Sequence, residues 1–461
     1  KPEENIFSAS DKDVEKLTEK EEKLLAMAGQ MSASPNEIFS KFNNADAKFG
    51  EITDEEGNKV ELTNGRYSVF MESNDRRVRQ DAFHALYKEY GNYINTLAAT
   101  YYANVKQAIF FSQARNYDST LEMYLSGSFI PVSVYKNLIE TVNNNLDKMH
   151  KYVSLRKREL GVDELHFYDV YAPMVSDYKL KVTYDEAKEI ALKALAPLGK
   201  EYTDKIQEGF NSGWVDVREN VGKRNGAFSW GAYGTHPYVF LNYSDTLNDV
   251  FTLVHEMGHA MHTFYSNENQ PYVYAGYKIF VAEVASTCNE AILINYLLKN
   301  CKDNTEKKYL INHYLEQFKG TLFRQTMFAE FEMITHSMAE NGEVLNAENL
   351  CNVYKELNKK YFGDDMVIDE EIALEWSRIP HFYTPFYVYQ YATGFSAAVA
   401  IASKILAGDE ETLAGYKKFL SGGCSMHPIE LLKLCGIDMS KPQVIQEAID
   451  VFGNLIEEYQ K

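Results

Sequence analysis

The sequence contains little cysteine and little tryptophan. Of its 461 residues, three are tryptophan and five are cysteine, namely Cys288, Cys301, Cys351, Cys424 and Cys435. The cysteines are odd in number and lack the paired spacings of structural zinc sites and disulfide frameworks. This composition favours buried free thiols in a reducing compartment, so a cytoplasmic location is expected.

Long apolar runs and an excess of positive charge are also lacking. No apolar run approaches the roughly 18–20 residues that a membrane-spanning helix requires, so no membrane partner is predicted. Lysine and arginine number 47 against 66 aspartates and glutamates, which gives a net charge of −19. Such an acidic balance argues against nucleic acid or an anionic membrane as the main partner. No signal peptide is visible, and because the chain opens at Lys1 rather than Met, a natural start further upstream is one interpretation.

The strongest local signal is the pentapeptide His-Glu-Met-Gly-His, which runs from His255 to His259. The surrounding run 246–265 is predicted to be helical, because Thr246 begins a capping-box pattern and apolar residues follow at helical intervals. The two histidines then share one face, one turn apart, so both imidazoles can bind a single zinc ion. Glu256 would lie beside the metal as a general base. The alternative is that both histidines are ordinary core residues.

A catalytic zinc site requires a third protein ligand and an open position for water. One known pattern adds a glycine and a third histidine downstream, but here His262 and Tyr265 occupy those positions, which excludes it. The remaining candidates are Glu268, Glu283 and Glu290. Glu268 lies in a polar turn too close to fold back, whereas Glu283 lies in an apolar run where a charge requires a partner. We therefore predict Glu283 as the third ligand, with a salt-bridged structural glutamate as the alternative.

Two further polar residues are expected near the site without binding the metal. Glu290 follows Glu283 by seven residues on the same helical face and suits a role in orienting a ligating histidine. His262 shares the ligand face of its helix and is predicted to be a hydrogen-bonded residue of the site wall.

The region between Gly209 and Asp245 is rich in glycine and ends in a predicted strand, 238–243. A strand beside a zinc site can offer its free edge to an extended peptide, which adds as one more strand. The alternative is a strand paired within the protein, with glycines that only form turns. Both interpretations are open at this point.

The rest of the chain is predicted to be mostly helical. A hairpin is indicated with strands at 49–53 and 60–63 around a turn. Helical patterns cover residues 11–31, 73–116, 131–160 and 183–199. The predicted fold class is therefore mainly α, with a small β-sheet beside the metal helix.

These motifs together resemble the oligoendopeptidase F branch of the thimet oligopeptidase-like zinc peptidases. The resemblance rests on the pentapeptide, on Glu283 within its apolar run, and on three further segments. These segments are Gly234–Tyr238 (GTHPY), Tyr387–Phe395 (YVYQYATGF) and Phe419–Met439 (FLSGGCSMHPIELLKLCGIDM). It extends from about Leu62 to the end of the chain. It implies a helical, clamshell-shaped peptidase with zinc deep in a channel that restricts substrates to short peptides.

The resemblance also implies roles for individual residues. One zinc ion per chain would be held by His255, His259 and Glu283, with Glu256 as the base. The family further supplies a histidine and tyrosines that stabilise the transition state, and the matching positions are His381, Tyr387 and Tyr391. The two tyrosines are four residues apart and are expected to share one helical face.

The resemblance leaves the N-terminal part in question. Members of this branch usually have a longer N-terminal helical lobe than the segment before Leu62. Either that lobe is missing from this sequence or the chain is a natural short form. We expect an N-terminal helical and hairpin segment at 1–61 and a zinc metallopeptidase catalytic domain at 62–461.

The predicted function is zinc-dependent hydrolysis of internal bonds in short oligopeptides. One alternative is a peptidase that removes dipeptides from the C-terminus, which would need a cationic group for the free carboxylate. Arg324 and Arg378 are the candidates for that group. Another alternative is a peptide-binding protein without catalysis, against which the intact His-Glu-His set argues.

Overall fold

The computed structural model describes residues 17–175, 178 and 180–461, and within them the protein is mainly helical. The α-helices of this part are α1 (Glu19–Ser32), α2 (Ser34–Lys41), α3 (Asn64–Met71), α4 (Arg76–Asn92), α5 (Ile94–Ala114), α6 (Thr120–Ser126), α7 (Val132–Asn143), α8 (Leu146–Leu160), α9 (Tyr184–Ala194), α10 (Lys200–Asn211), α11 (Leu247–Asn269), α12 (Ile279–Asn300), α13 (Asn304–Gln317), α14 (Arg324–Glu340), α15 (Ala347–Phe362), α16 (Tyr389–Leu406), α17 (Glu410–Leu420), α18 (Pro428–Lys433) and α19 (Gln443–Tyr459). The mainly α class predicted from the sequence is confirmed.

The strands form two small sheets. The hairpin of β1 (Glu51–Thr53) and β2 (Lys59–Glu61) confirms the one predicted from the sequence. The second sheet contains β3 (Val215–Asp216), β4 (Phe228–Trp230) and β5 (Tyr238–Phe240) in the order β3-β5-β4. Within it β3 runs parallel and β4 antiparallel to β5. The second sheet contacts α11, as the sequence predicts.

Helix α11 begins as its capping pattern predicts. The Thr246 hydroxyl accepts a hydrogen bond from the Asp249 main-chain N–H at 3.2 Å, and the Asp249 carboxylate accepts one from the Thr246 N–H at 2.9 Å. Two of the otherwise unpaired groups at the helix start are thereby satisfied. The helix continues to Asn269, four residues beyond the predicted end at Tyr265. Glu268 therefore lies in the last turn of α11, and its predicted position in a polar turn is wrong.

Helices α11, α12 and α16 form the centre of the molecule. α12 packs against both of the others, and most of its side chains from Phe280 to Ile294 are buried. The approach of α11 to α12 depends on Gly258, where an added Cβ atom would lie 2.6 Å from the Cα atom of Ser286. Since such a contact is far inside van der Waals separation, a glycine is required here for the helices to meet.

Several predicted elements differ from the structure, among them the helices expected over 73–116 and 183–199, of which the first is divided at Tyr93 and the second ends at Ala194. The helix expected over 131–160 is interrupted at Asn145, whose φ of −125° is not helical and whose amide donates to the Thr141 carbonyl at 2.9 Å. An asparagine side chain that bonds the main chain in this way competes with helix formation. The predicted strand 238–243 is shorter, and as the central strand β5 it has no free edge. The predicted helix 11–31 is present as α1 from Glu19, while residues 11–16 lie outside the described part.

Two expectations drawn from absences in the sequence can be compared with the described residues. None of their helices has both the length and the apolar character needed to cross a membrane. All five cysteines are free, and Cys288 and Cys435 are buried.

Candidate metal centre

Two histidines of α11 and one glutamate of α12 converge at a single point. The Nε2 atoms of His255 and His259 lie 3.4 and 3.3 Å from the same carboxylate oxygen of Glu283. One ligand atom from each of the three residues lies within 4.8 Å of the other two. The spacing of the histidines places both imidazoles on one face of α11, as predicted, and the packing of α12 supplies the carboxylate.

These three side chains fit a zinc ion by their chemistry. Two imidazole nitrogens and one carboxylate oxygen form a ligand set known from catalytic zinc sites. Each side chain is partly exposed, with 27%, 18% and 36% of its surface accessible for His255, His259 and Glu283, so the cluster remains open on one side. Among the described residues Glu283 pairs with these histidines and with no lysine or arginine. This pairing disfavours the alternative of a structural salt bridge.

The electrostatics of the cluster favour a cation. Burial opposes a positive charge on His255, but its contacts with Glu283 and Glu290 outweigh burial and raise the pKa of the imidazole to about 10. Burial likewise opposes the negative charge on Glu283, yet the two histidines hold the pKa of that carboxyl below its usual value. The local field is therefore negative, and it stabilises positive charge at the three donor atoms.

Glu290 orients His255 through the ring nitrogen that does not face Glu283. Its Oε1 atom contacts Nδ1 of His255, which leaves Nε2 of that ring directed at Glu283. The other oxygen, Oε2, accepts a hydrogen bond from the side-chain amide of Gln317 at 2.7 Å. The position of Glu290 agrees with its predicted role of holding the ring and its tautomer. Gln317, the last residue of α13, carries no sequence signal that would have identified it.

Glu256 is buried next to the cluster, with 7% of its surface exposed. Burial raises the pKa of its carboxyl above the usual value. Its Oε2 atom is buried without a hydrogen-bond partner among the described residues. A carboxylate with a raised pKa and a free oxygen is suited to accept and return a proton.

His262 does not join the cluster. Its ring stacks on Tyr277 with 3.7 Å between the ring centroids, and its Nδ1 atom has no hydrogen-bond partner among the described residues. Burial lowers the pKa of His262 to about 3, so the imidazole is neutral. His262 is thus held in the wall by stacking, and its Nδ1 atom does not make the hydrogen bond that a hydrogen-bonded wall histidine could have used.

The second predicted group, His381, Tyr387 and Tyr391, is also brought together. The Tyr391 hydroxyl lies 3.4 Å from Nε2 of His381, and the centroids of the two tyrosine rings are 5.5 Å apart. Burial, aided by the charges of Tyr387 and Glu283, raises the pKa of Tyr391, so its phenol stays protonated. Since α16 begins at Tyr389, Tyr387 precedes the helix, and the expectation that both tyrosines share one helical face is wrong.

The two arginines considered for binding a peptide carboxylate are engaged elsewhere. Arg324 and Arg378 both contact Oε1 of the buried Glu375, at 2.7 and 3.4 Å. Their positive charges compensate that carboxylate and hold the pKa of Glu375 at about 2 against the effect of burial. They are therefore parts of a buried ion network.

Known proteins resemble this chain over most of its length. Residues 69–451 match the family model described as peptidase family M3, and residues 11–49 match a model described as oligopeptidase F. Oligopeptidase PepF of Bacillus subtilis is 52% identical over 445 residues, which cover 96% of this chain and 66% of that protein. The oligoendopeptidase F structure from Enterococcus faecium superposes with a TM-score of 0.81 at 40% identity, covering 96% of this chain and 74% of the other. A structure from Chlamydophila abortus gives a TM-score of 0.91 at 40% identity with the same coverage. The chain thus spans just under two thirds of the length of the Bacillus protein.

Proposed function

Because this chain belongs to peptidase family M3, we propose that it is a zinc-dependent metalloendopeptidase that hydrolyses internal bonds of short oligopeptides. The observation that carries this proposal is the convergence of His255, His259 and Glu283 to within 4.8 Å, with Glu256 buried beside them. The family and its oligopeptidase members support the class of reaction. The geometry supports the assignment of individual residues.

One zinc ion would be held by His255, His259 and Glu283, with Glu290 and Gln317 fixing the first histidine. Zinc in such a site acts as a Lewis acid and makes water a stronger nucleophile at neutral pH. The partial exposure of all three side chains leaves room for water and for a peptide carbonyl.

Glu256 would act as general base and then as general acid. Its carboxylate would take a proton from the attacking water and deliver it to the leaving nitrogen. Burial raises the pKa of this carboxyl above its usual value, which makes it a stronger base for the water proton.

Tyr387, Tyr391 and His381 would stabilise the oxyanion that develops on the scissile carbonyl. The raised pKa of Tyr391 keeps a proton on its phenol, so the group donates a hydrogen bond at neutral pH. A preorganised donor of this kind typically contributes about 3 kcal/mol to the transition state.

The peptide main chain would add to the free edge of β4. Val239, in the middle of β5, directs its N–H to the β3 side, where it donates to the Trp214 carbonyl at 2.7 Å. Its neighbours Tyr238 and Phe240 therefore direct their main-chain N–H and C=O groups to the opposite side, towards β4. Their partners in β4 are Trp230 and Phe228, and the intervening Ser229 directs its N–H and C=O away from the sheet. An extended peptide can pair there, whereas β5, the strand considered from the sequence, is paired on both sides.

The other interpretations have less support. Removal of C-terminal dipeptides would need a cation for the free carboxylate, and the two candidates, Arg324 and Arg378, are paired with Glu375. A peptide-binding role without catalysis would leave the buried Glu256 carboxylate unexplained. We retain as proposals the division into a segment 1–61 and a catalytic domain 62–461, and a cytoplasmic location.

The proposal is tested by measuring bound metal and peptide cleavage on one sample. We expect one zinc per chain and cleavage inside an internally quenched peptide that a chelator abolishes. Glu256→Gln should keep the zinc and lose turnover. A sample without metal would overturn the ligand assignment, and zinc without cleavage would favour the peptide-binding alternative.

A further inference from the structure

A cavity of about 350 Å³ lies beside the free edge of β4. Ser229 and Trp230 of the strand form one wall, and Thr263 of α11 forms another. The loop between α11 and α12 closes it with Tyr272 and Tyr277. The sequence offers no signal for this cavity, because its walls come from segments that are distant along the chain.

The cavity borders helix α11 one turn beyond the second histidine of the metal cluster. Thr263 lies one turn after His259 on the same face of α11, so their Cβ atoms are about 6 Å apart. The Thr263 hydroxyl lies 3.0 Å from the Tyr277 hydroxyl. Tyr277 also lines the cavity, so this hydroxyl pair links its ring to α11. A peptide paired with Ser229 would therefore carry one side chain into this space.

The walls of the cavity are aromatic and carry no formal charge. Its lining residues are serine, threonine, asparagine, alanine, glycine, tryptophan and tyrosine. Trp230 and Tyr272 are 72% and 75% exposed, although large aromatic side chains are usually covered. Tyr233 packs edge-on against Tyr272 with 5.5 Å between centroids, which holds the rim in place. Exposed rings around a recess are typical of a binding site for apolar groups.

We propose that this cavity is a specificity subsite for an aromatic or long apolar side chain of the peptide substrate. The inference rests on the proposed peptidase function and adds the chemical class of side chain that the site prefers. A charged side chain would lose its hydration there without gaining a partner, whereas an aromatic side chain would bury apolar surface against the rings. Discrimination by such a pocket is typically between about ten- and two-hundredfold.

The test uses two quenched peptides that differ at one position, phenylalanine against aspartate. We expect the wild-type protein to cleave the phenylalanine peptide with a kcat/KM at least about tenfold higher. Gly276 lines the cavity, and an added Cβ atom there would have nothing within 4 Å, so Gly276→Leu fills the space without backbone strain. This variant should reduce the preference to less than about threefold. Gly65→Leu is the matched control, because Gly65 also faces open space, and it should keep the wild-type ratio.

Binding to Glu256→Gln separates this inference from the proposed function. Equilibrium binding of the two peptides, measured by fluorescence anisotropy, does not depend on turnover. Tighter binding of the phenylalanine peptide, lost in the double variant with Gly276→Leu, supports the subsite even if no peptide is cleaved. Equal binding of both peptides, or a preference that Gly276→Leu does not change, overturns the subsite whether or not the protein is a peptidase.

Discussion

The buried carboxyl of Glu332 accepts a hydrogen bond from the main-chain N–H of Phe386 at 2.9 Å. Phe386 has a φ of 55°, which is uncommon for a residue with a side chain, and it directly precedes Tyr387. Glu332 lies on α14 and is fully buried. The left-handed turn directly before Tyr387 is therefore anchored from inside the molecule.

Removal of this anchor should lower turnover more than substrate binding. We predict that Glu332→Ala decreases kcat between about ten- and a hundredfold while KM changes little, because Tyr387 and Tyr391 lose their alignment. Glu332→Gln keeps an oxygen acceptor for the Phe386 N–H and should restore most of the activity. Steady-state kinetics with a quenched peptide would measure both effects. Equal losses in the two variants would contradict a positioning role.

Glu332 should also make stability depend on pH. Burial raises the pKa of this carboxyl well above its ordinary value, so the folded protein retains a proton that the unfolded chain releases above about pH 4.3. The contribution of Glu332 to the free energy of unfolding is complete below about pH 4.3, where both states are protonated. This contribution is lost as the pH rises towards the pKa of Glu332 in the folded protein. Glu332→Gln cannot titrate, so its stability relative to the wild type should increase from pH 5 to pH 8, by at most about 1.4 kcal/mol per pH unit. Urea unfolding of both proteins at the two pH values would measure this, and parallel curves would refute it.

Gln317 should influence metal affinity without touching the metal. Its amide holds Glu290, which in turn holds His255. We predict that Gln317→Leu weakens zinc binding about ten- to a hundredfold, as measured by competition with a chelator. Gln207→Leu, at an exposed position of α10, is the control and should bind zinc as the wild type does. Unchanged affinity in Gln317→Leu would show that Glu290 is positioned without help from the glutamine.

Gly258 should be intolerant of even a methyl group. In Gly258→Ala the new Cβ atom would lie 2.6 Å from the Cα atom of Ser286, so α12 must move and carry Glu283 with it. We predict a loss of about 1–3 kcal/mol in the free energy of unfolding, together with weaker zinc binding. Gly65→Ala, which meets open space, should leave both unchanged. Thermal unfolding with and without zinc would measure the difference, and a fully stable Gly258→Ala would argue against the close packing of α11 and α12.

The local parts of the site could be predicted from the sequence, because they depend on helix periodicity. His255 and His259 lie one turn apart on any helix, and the cap at Thr246 marks where that helix begins. Glu283 was identified because a charge within an apolar run requires a partner, and the structure brings it to the histidines. The grouping of His381 with Tyr387 and Tyr391 came from the family resemblance and not from periodicity.

The remaining features could not be predicted, because they depend on contacts between distant segments. Glu332 meets Phe386 across 54 residues of sequence, and Gln317 meets Glu290 across 27. Whether strand 238–243 has a free edge stayed open, because pairing order, and not local composition, decides which strand lies at an edge. The break at Asn145 depends on one side-chain hydrogen bond, which helical periodicity does not reveal.

The free edge of β4 has a consequence beyond the proposed binding of a peptide. An unpaired strand bordered by exposed aromatic rings is a template on which a second copy of the protein could assemble through its own strand. β4 contains three residues, so its outer side offers few main-chain bonds to such a neighbour. A short peptide can add contacts in the adjoining cavity, which a flat strand of another molecule cannot enter. The brevity of β4 thus limits the main-chain bonds that a second copy could form at this edge.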